Sequence, residues 1–241
     1  MKKALDYYAW AFLLCLPFAL FSQTTKSGSA LAMEFLKTHE MAICNAALKY
    51  NSNPNQVIGI GYPELLKYFT ADQKDTKKTS SLYINLGSRE VDVKMGEFQM
   101  KTSMVEQIET IVRKYPTNFQ KFQNLGSYAS NDERTIRSER LERMTDIEWQ
   151  LAYLFAFHTI ADSCFYGEEF KGVEDKTAFY SIAFKMGFNS RLHEIKECYA
   201  SFKAPELDKR AAACRSNAEI ATQFLVKSTP LFDCAEAIVE Y

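Results

Sequence analysis

Apolar side chains recur at helical spacing along most of this 241-residue chain. The strongest such run, residues 141–165, carries apolar side chains so widely around the helix that it predicts a buried central helix. An amphipathic run over residues 27–50 ends at the breaker Asn51-Ser52-Asn53-Pro54. A further helix is predicted from Pro54 to about Phe69. The spacing therefore predicts a mainly α protein.

Two stretches interrupt the helical pattern. Residues 70–79 are polar and residues 117–139 have no clear period, so both are predicted to be connectors at the surface. Between them, Val91 and Val93 alternate with charged residues, which predicts a short extended segment or small β-hairpin before Gly96. Helical spacing returns at Met104 and stops at Pro116, and the other predicted helices are residues 80–87, 175–187, 190–200 and 207–226.

The first residues of the chain differ from the rest. Lys2 and Lys3 precede an apolar run over residues 9–21, and a polar stretch follows it. This is the order of a secretory signal peptide, and the apolar run is shorter than a helix that spans a bilayer. We therefore expect residues 1–22 to be a cleaved signal and residues 23–241 to form one domain. The mature protein would be periplasmic or extracellular, with no stable membrane span.

Charge and cysteine content indicate which kinds of partner, disulfide and metal site to expect. The formal net charge is −1, which gives no sign of a nucleic-acid surface. Export would place the mature cysteines in an oxidising compartment, where disulfides form. Their number is odd, so at least one lacks a partner in the chain, and the concentration of cysteines in the last third predicts bridges between C-terminal helices. Neither Cys-x-x-Cys nor His-x-x-x-His spacing occurs, so no metal and no cofactor are predicted. The mature cysteines are Cys44, Cys164, Cys198, Cys214 and Cys234.

Three short segments follow one another in the chain and carry side chains suited to glycan chemistry. Glu64 lies among apolar residues, and such surroundings raise the pKa of a carboxyl so that it can act as a general acid. The segment 96–100, Gly-Glu-Phe-Gln-Met, combines a glycine that allows a close turn with a glutamine amide that can bind a sugar amide or hydroxyl. The third segment, residues 180–188, ends a predicted helix at Gly187.

Together these segments resemble the signature of the lysozyme-like superfamily, which includes lytic transglycosylases and goose-type lysozymes. In that family, a glutamate is followed by a Gly-x-x-Gln-apolar turn and later by an Ala-Tyr-Asn-x-Gly helix end. The resemblance covers residues 50–190 and implies a lysozyme-like helical domain, with residues 191–241 as a C-terminal helical extension. It also implies cleavage of peptidoglycan strands, or of another glycan, with Glu64 as general acid and base. The substrate-binding residues that it implies are Gly96, Phe98, Gln99 and Phe184.

The third segment, residues 180–188, differs from the family pattern at two adjacent residues. Phe184 and Lys185 stand where the family has Tyr-Asn, so Phe184 lacks the hydroxyl that lies near the glutamate in the family. Lys185 would lower the pKa of Glu64 if it pointed inward, and would be an ordinary solvated lysine if it pointed outward. Two functions stay open: a secreted lytic transglycosylase or muramidase, and a non-catalytic exported helical protein that uses a degenerate lysozyme-like cleft for binding.

Four further residues are candidates for chemistry. Asp92 and Glu97 lie near the glycine turn and could supply a second carboxylate, although each is more often a surface charge. His158 and Asp162 lie four residues apart on the predicted central helix, which suits a metal pair, a catalytic dyad or a partly buried histidine with a helical partner. We favour the last of these interpretations.

Overall fold

The structure, a computed structural model, describes residues 26–71, 77–188, 190–203, 209–227, 231–232 and 234. The predicted signal, residues 1–22, and the middle of the predicted connector at 70–79 lie outside the described residues. The N-terminal helices are α1 (Gly28–Thr38), α2 (Glu40–Tyr50), α3 (Pro54–Thr70) and α4 (Lys77–Leu86). The middle of the chain contributes β1 (Lys94–Met95), β2 (Met100–Lys101), α5 (Thr102–Lys114) and a 3-10 helix (Gln120–Gly126). The C-terminal helices are α6 (Glu133–Thr145), α7 (Ile147–Cys164), α8 (Val173–Met186), α9 (Leu192–Lys203) and α10 (Lys209–Lys227).

The described chain is mainly helical and contains a small antiparallel sheet, which confirms the predicted mainly α class with a β-hairpin. β1 pairs with β2 through Lys94 opposite Lys101 and Met95 opposite Met100. The sheet begins directly after the segment expected to be extended, and pairing extends back to Val93, whose carbonyl accepts from the Thr102 amide at 2.8 Å. None of the helices in the described ranges has the length and apolar content needed to cross a membrane.

The centre of the core is α7, which packs against α2, α3, α5, α6, α8 and the 3-10 helix. Every residue from 150 to 158 is buried, as the apolar pattern predicts. The single helix predicted over residues 141–165 is divided in two, however, because Asp146 ends α6 and caps α7. Its carboxylate accepts from the Trp149 amide at 3.1 Å, which satisfies one of the donors at the start of α7.

Two other segments differ from the sequence expectation. The helix predicted over residues 27–50 is divided at His39, whose Nδ1 lies 2.9 Å from the Phe35 carbonyl oxygen. The predicted connector at residues 117–139 is instead largely helical, with the 3-10 helix and the start of α6 inside it. Phe122 and Leu125 are buried there at the three-residue period of a 3-10 helix, which a search for a period of 3.6 does not detect.

The position of the candidate site depends on how α3 packs against the hairpin. α3 also packs against α1, α8 and α10, and Pro63 lies within the helix without ending it. At Gly61, a Cβ atom would lie only 2.8 Å from the Phe98 ring and 3.1 Å from Leu154, so glycine permits the close approach. The fully buried Phe98 ring thereby brings the hairpin against α3, one turn before Glu64.

The cysteines join the two ends of the domain. A disulfide links Cys44 on α2 to Cys234, across 190 residues of sequence. Cys198 is also disulfide-bonded, whereas Cys164 is a free, exposed thiol. The prediction that bridges join C-terminal helices to one another therefore misses the Cys44–Cys234 pair, because nothing in the sequence places α2 next to the C-terminal segment.

Candidate functional site

Glu64 is a buried carboxylate in the middle of α3, with 3% of its side chain exposed. It is buried because the apolar residues before and after it in α3 pack into the core. An ionised carboxylate at such a position must be compensated by partners, since removing its charge from water is costly. The structure supplies those partners from three separate elements.

Two lysines and one asparagine hold the Glu64 carboxylate. Lys67, one turn later on α3, donates to Oε1 at 2.6 Å, and Lys94 on β1 donates to Oε2 at 2.8 Å. Asn217 on α10 donates from Nδ2 to Oε1 at 3.3 Å and accepts from Lys67 at 2.8 Å. Glu64 therefore joins α3, the hairpin and α10 through direct polar contacts.

These contacts set the charge state of Glu64. Burial alone raises the pKa of a carboxyl, but the hydrogen bonds and positive charges of Lys67 and Lys94 outweigh it and lower the pKa of Glu64 to about 2. The sequence expectation was a raised pKa, from apolar neighbours along α3. The structure instead has a carboxylate that is charged at neutral pH, because the lysines approach it from other turns and elements.

A further lysine belongs to the same region. Lys185, near the end of α8, is half-buried, and its pKa is lowered by burial and by the positive charges of Lys67, Lys94 and Lys101, whereas Glu64 raises it. Lys185 is therefore within electrostatic range of Glu64 and is only partly solvated. We call Lys67, Lys94, Lys101 and Lys185 the lysine cluster. With Glu64 as their counter-ion, these residues carry a clear excess of positive charge.

The turn at residues 96–99 is built by its own hydrogen bonds. Gly96 has φ +70°, and a Cβ there would lie 2.3 Å from the Met144 carbonyl oxygen, so the position requires glycine. The Gln99 side chain donates to the Gly96 carbonyl at 2.8 Å, and the Phe98 amide donates to Gln150 at 3.2 Å. The amide expected to bind a sugar is thus engaged within the turn.

The two aromatic side chains assigned to substrate binding lie in the core. Phe98 is fully buried, and Phe184 is 3% exposed with its ring edge-on to Phe157 at 5.1 Å. The structure does bring the three resembling segments to one region. The side chains that meet there are mainly those of the lysine cluster, whereas the rings of Phe98 and Phe184 pack in the core. Substrate binding by Gly96, Phe98, Gln99 and Phe184 stays a prediction.

The closest partners of Glu64 were not identified from the sequence. The spacing of Lys67, three residues after Glu64, is a signal that could have identified it, since residues i and i+3 are neighbours on a helix. Lys94 and Asn217 lie 30 and 153 residues away, and no local pattern marks them. The two acidic alternatives, Asp92 and Glu97, bind Ser103 and Gln150 respectively, so both support the hairpin.

A second polar cluster, around Glu109 and Arg140, was also missed. Arg140 donates from Nε and Nη2 to the two oxygens of Glu109, which is fully buried, with a shortest distance of 2.7 Å. Tyr153 donates to Glu109 at 2.9 Å and Tyr128 donates to the same oxygen. Arg140 also contacts Glu106 at 3.0 Å. Every charge has a partner, which is typical of a network that joins α5, α6 and α7.

The pair His158 and Asp162 is only a loose contact. Nδ1 of His158 lies 3.9 Å from the carboxylate, and neither ring nitrogen has a hydrogen-bond partner among the described residues. Asp162 instead accepts from Tyr180 at 2.8 Å and pairs with Lys176 at 2.6 Å. Burial lowers the pKa of His158, so the ring is neutral in the folded protein. The described residues contain no group of three or more metal-ligating side chains at this or any other place.

Comparison with protein-family models, curated proteins and solved structures gives no match to this chain. The resemblance to the lysozyme-like superfamily therefore depends on the three segments alone and stays a prediction.

Proposed function

We propose that this protein is a non-catalytic binding protein that takes an anionic glycan at the lysine cluster beside Glu64. The observation that carries the proposal is the double ion pair of Glu64 with Lys67 and Lys94, which lowers the pKa of the buried carboxyl to about 2. Of the two functions left open by the sequence, this geometry favours binding over glycan cleavage.

The charge of Glu64 argues against general acid catalysis. An acid that cleaves a glycosidic bond must carry a proton to give to the leaving oxygen. With a pKa of about 2, protonating Glu64 at pH 7 costs about 7 kcal/mol, because each pH unit contributes about 1.36 kcal/mol. That cost would be added to the reaction barrier, and it exceeds what a single positioned acid usually contributes.

The lysines, in contrast, are arranged as a site for an anion. The side chains of Lys67 and Lys94 are 40% and 42% exposed, so both ammonium groups contact Glu64 and still reach solvent. An ammonium group has three N–H donors, and Lys94 gives one of them to Glu64. Glu64 fixes the lysines in place before a ligand arrives, which reduces the ordering cost of binding.

A glycan with carboxylate groups fits both the charge of this site and the partner implied by the resemblance. Peptidoglycan carries carboxylates on its muramic acid residues or on the stem peptides attached to them, whereas chitin shares the N-acetylglucosamine units without these charges. Export, which the N-terminal pattern predicts, would bring the protein to such a glycan.

The test is co-sedimentation of the purified protein with insoluble peptidoglycan and with chitin. We expect retention on peptidoglycan, little retention on chitin, and at least tenfold weaker retention on peptidoglycan for Lys94→Gln. Lys121→Gln, at an exposed position of the 3-10 helix, is the matched control and should bind as the parent does. Equal binding to both glycans, or no effect of Lys94→Gln, would contradict the proposal.

The enzymatic alternative is tested on the same samples. Release of soluble muropeptides by the parent protein, and loss of that release in Glu64→Gln, would establish catalysis and overturn the binding-only proposal. We expect no release from either protein above a no-protein control.

A further inference from the structure

A cavity of about 420 Å³ lies between α1, α3 and α10, away from the lysine cluster. On α3 it is lined by Tyr62 and Leu66, which stand two residues before and two residues after Glu64. Since successive residues are about 100° apart around a helix, these two side chains lie about 160° from Glu64. The cavity therefore belongs to the opposite face of α3 and is a separate feature.

The walls of this cavity are mainly apolar. Met33 on α1 faces Leu66 on α3 and Ile220 on α10 across it. Phe224 stacks on the Tyr62 ring with a centroid distance of 4.4 Å, which closes one side. The volume falls within the range of about 300–1,000 Å³ typical of small-molecule sites, and such sites combine apolar walls with a few polar groups.

One phenol side chain contributes to the cavity wall. Tyr62 lines the cavity and is 8% exposed as a whole residue. A phenol hydroxyl can both donate and accept a hydrogen bond, so Tyr62 can supply a polar contact to a ligand there. Burial raises the pKa of Tyr62, which keeps the hydroxyl protonated and able to donate.

The charge at the cavity is positive. Lys227, in the last turn of α10, lines it, and none of the other residues that line it is acidic. Ser29, in the first turn of α1, also lines it and adds a hydroxyl to the same edge. An anionic head group complements this edge, while the apolar walls suit a hydrocarbon body.

We propose that the cavity between α1, α3 and α10 binds a small amphipathic carboxylate, with its hydrocarbon chain against Leu66, Ile220 and Phe224 and its carboxylate on Lys227. The Tyr62 hydroxyl donates a further hydrogen bond to the ligand. This site is independent of the glycan site proposed at the lysine cluster.

Calorimetric titration of the full chain with decanoate, and with decanol as the uncharged analogue of equal length, tests the proposal. We expect decanoate to bind at least tenfold more tightly than decanol, and Lys227→Gln to remove most of that difference. Ile220→Trp fills the cavity and should abolish binding of both compounds. Leu48→Trp, at a position of α2 that is 53% exposed, is the matched control and should bind decanoate as the parent does.

Three results would overturn the proposal. One is the absence of decanoate binding by the parent chain. The second is binding that Ile220→Trp leaves unchanged, and the third is equal affinity for decanoate and decanol. Circular dichroism melts of each variant identify any loss of fold, and Lys94→Gln should leave decanoate binding unchanged whatever its effect on glycan binding.

Discussion

Glu64 on α3 and Lys94 on the β-hairpin form an ion pair of 2.8 Å, although 30 residues separate them in sequence. Together with Lys67, Lys94 keeps this buried acid ionised at neutral pH, although its neighbours in sequence are apolar. The charge of the site therefore depends on how the hairpin docks on α3. The protein's stability and its charge at this site should consequently respond together to changes at either residue.

Replacing Glu64 by glutamine should destabilise the protein at neutral pH. The pKa of Glu64 is about 2 in the folded state against an ordinary value of 4.5, and this difference corresponds to about 3 kcal/mol of stability. Because the folded pKa is the lower one, the contribution is complete above about pH 4.5 and is lost as pH falls toward 2. Urea unfolding of the parent and Glu64→Gln between pH 7 and pH 2.5 measures it.

The control for this substitution is Glu34→Gln, which removes an ion pair with Lys26 that is more than half exposed on both sides. Exposed pairs contribute at most about 1 kcal/mol, so this variant should unfold almost as the parent does. A difference between parent and Glu64→Gln that stays constant down to pH 2.5 would contradict the assigned pKa.

The buried network should be far more sensitive than the surface ion pairs. Replacing Arg140 by leucine leaves the fully buried Glu109 without its bidentate partner, and removing one member of a buried pair costs about 3–5 kcal/mol. Arg215→Leu, which breaks a partly exposed pair with Glu219 on α10, should cost less than about 1 kcal/mol. Thermal and urea unfolding of both variants provides the comparison, and equal losses would show that the network does not support the core.

The Cys44–Cys234 disulfide should make a large contribution because it closes a long loop. Bridges across such separations typically contribute about 2–5 kcal/mol, mainly by restricting the unfolded chain. Cys44→Ala, Cys234→Ala and the double variant should therefore all lose the same amount, since one bond is removed in each. Cys164→Ala removes a free thiol and should unfold close to the parent. Additive losses in the double variant would show that the two cysteines act separately.

The sequence was informative where the cause of structure is local. Apolar periodicity identified the buried face of α7, and the glycine at position 96 identified a turn that requires it. The division of the predicted central helix depends on one cap, Asp146, whose role a run of apolar residues obscures. The helix break at His39 lies in a single residue whose backbone leaves the helical range, with φ −106° and ψ 16°, and no apolar pattern marks it.

The candidate site was harder to predict because its chemistry is not local. Apolar neighbours in sequence suggested a raised pKa for Glu64, but the lysines that keep it charged lie on α3 and β1, and Asn217 of α10 adds a hydrogen bond. Phe98 and Phe184 show the same limit, since an aromatic residue that could bind a sugar has the same pattern as one that fills the core. Only the packing of the hairpin and α8 distinguishes the two.

His158 should make the stability of the protein depend on pH near neutrality. Burial lowers the pKa of its ring below the ordinary value of 6.5, and neither ring nitrogen has a described hydrogen-bond partner. As pH falls below about 6.5, the unfolded chain binds a proton at His158 before the folded chain does, so stability decreases. Replacing His158 by phenylalanine should flatten this decrease in urea unfolding between pH 7.5 and pH 5, whereas His193→Gln, at an exposed position, should keep it. If the parent and His158→Phe show the same slope over that range, another group is responsible for the pH dependence.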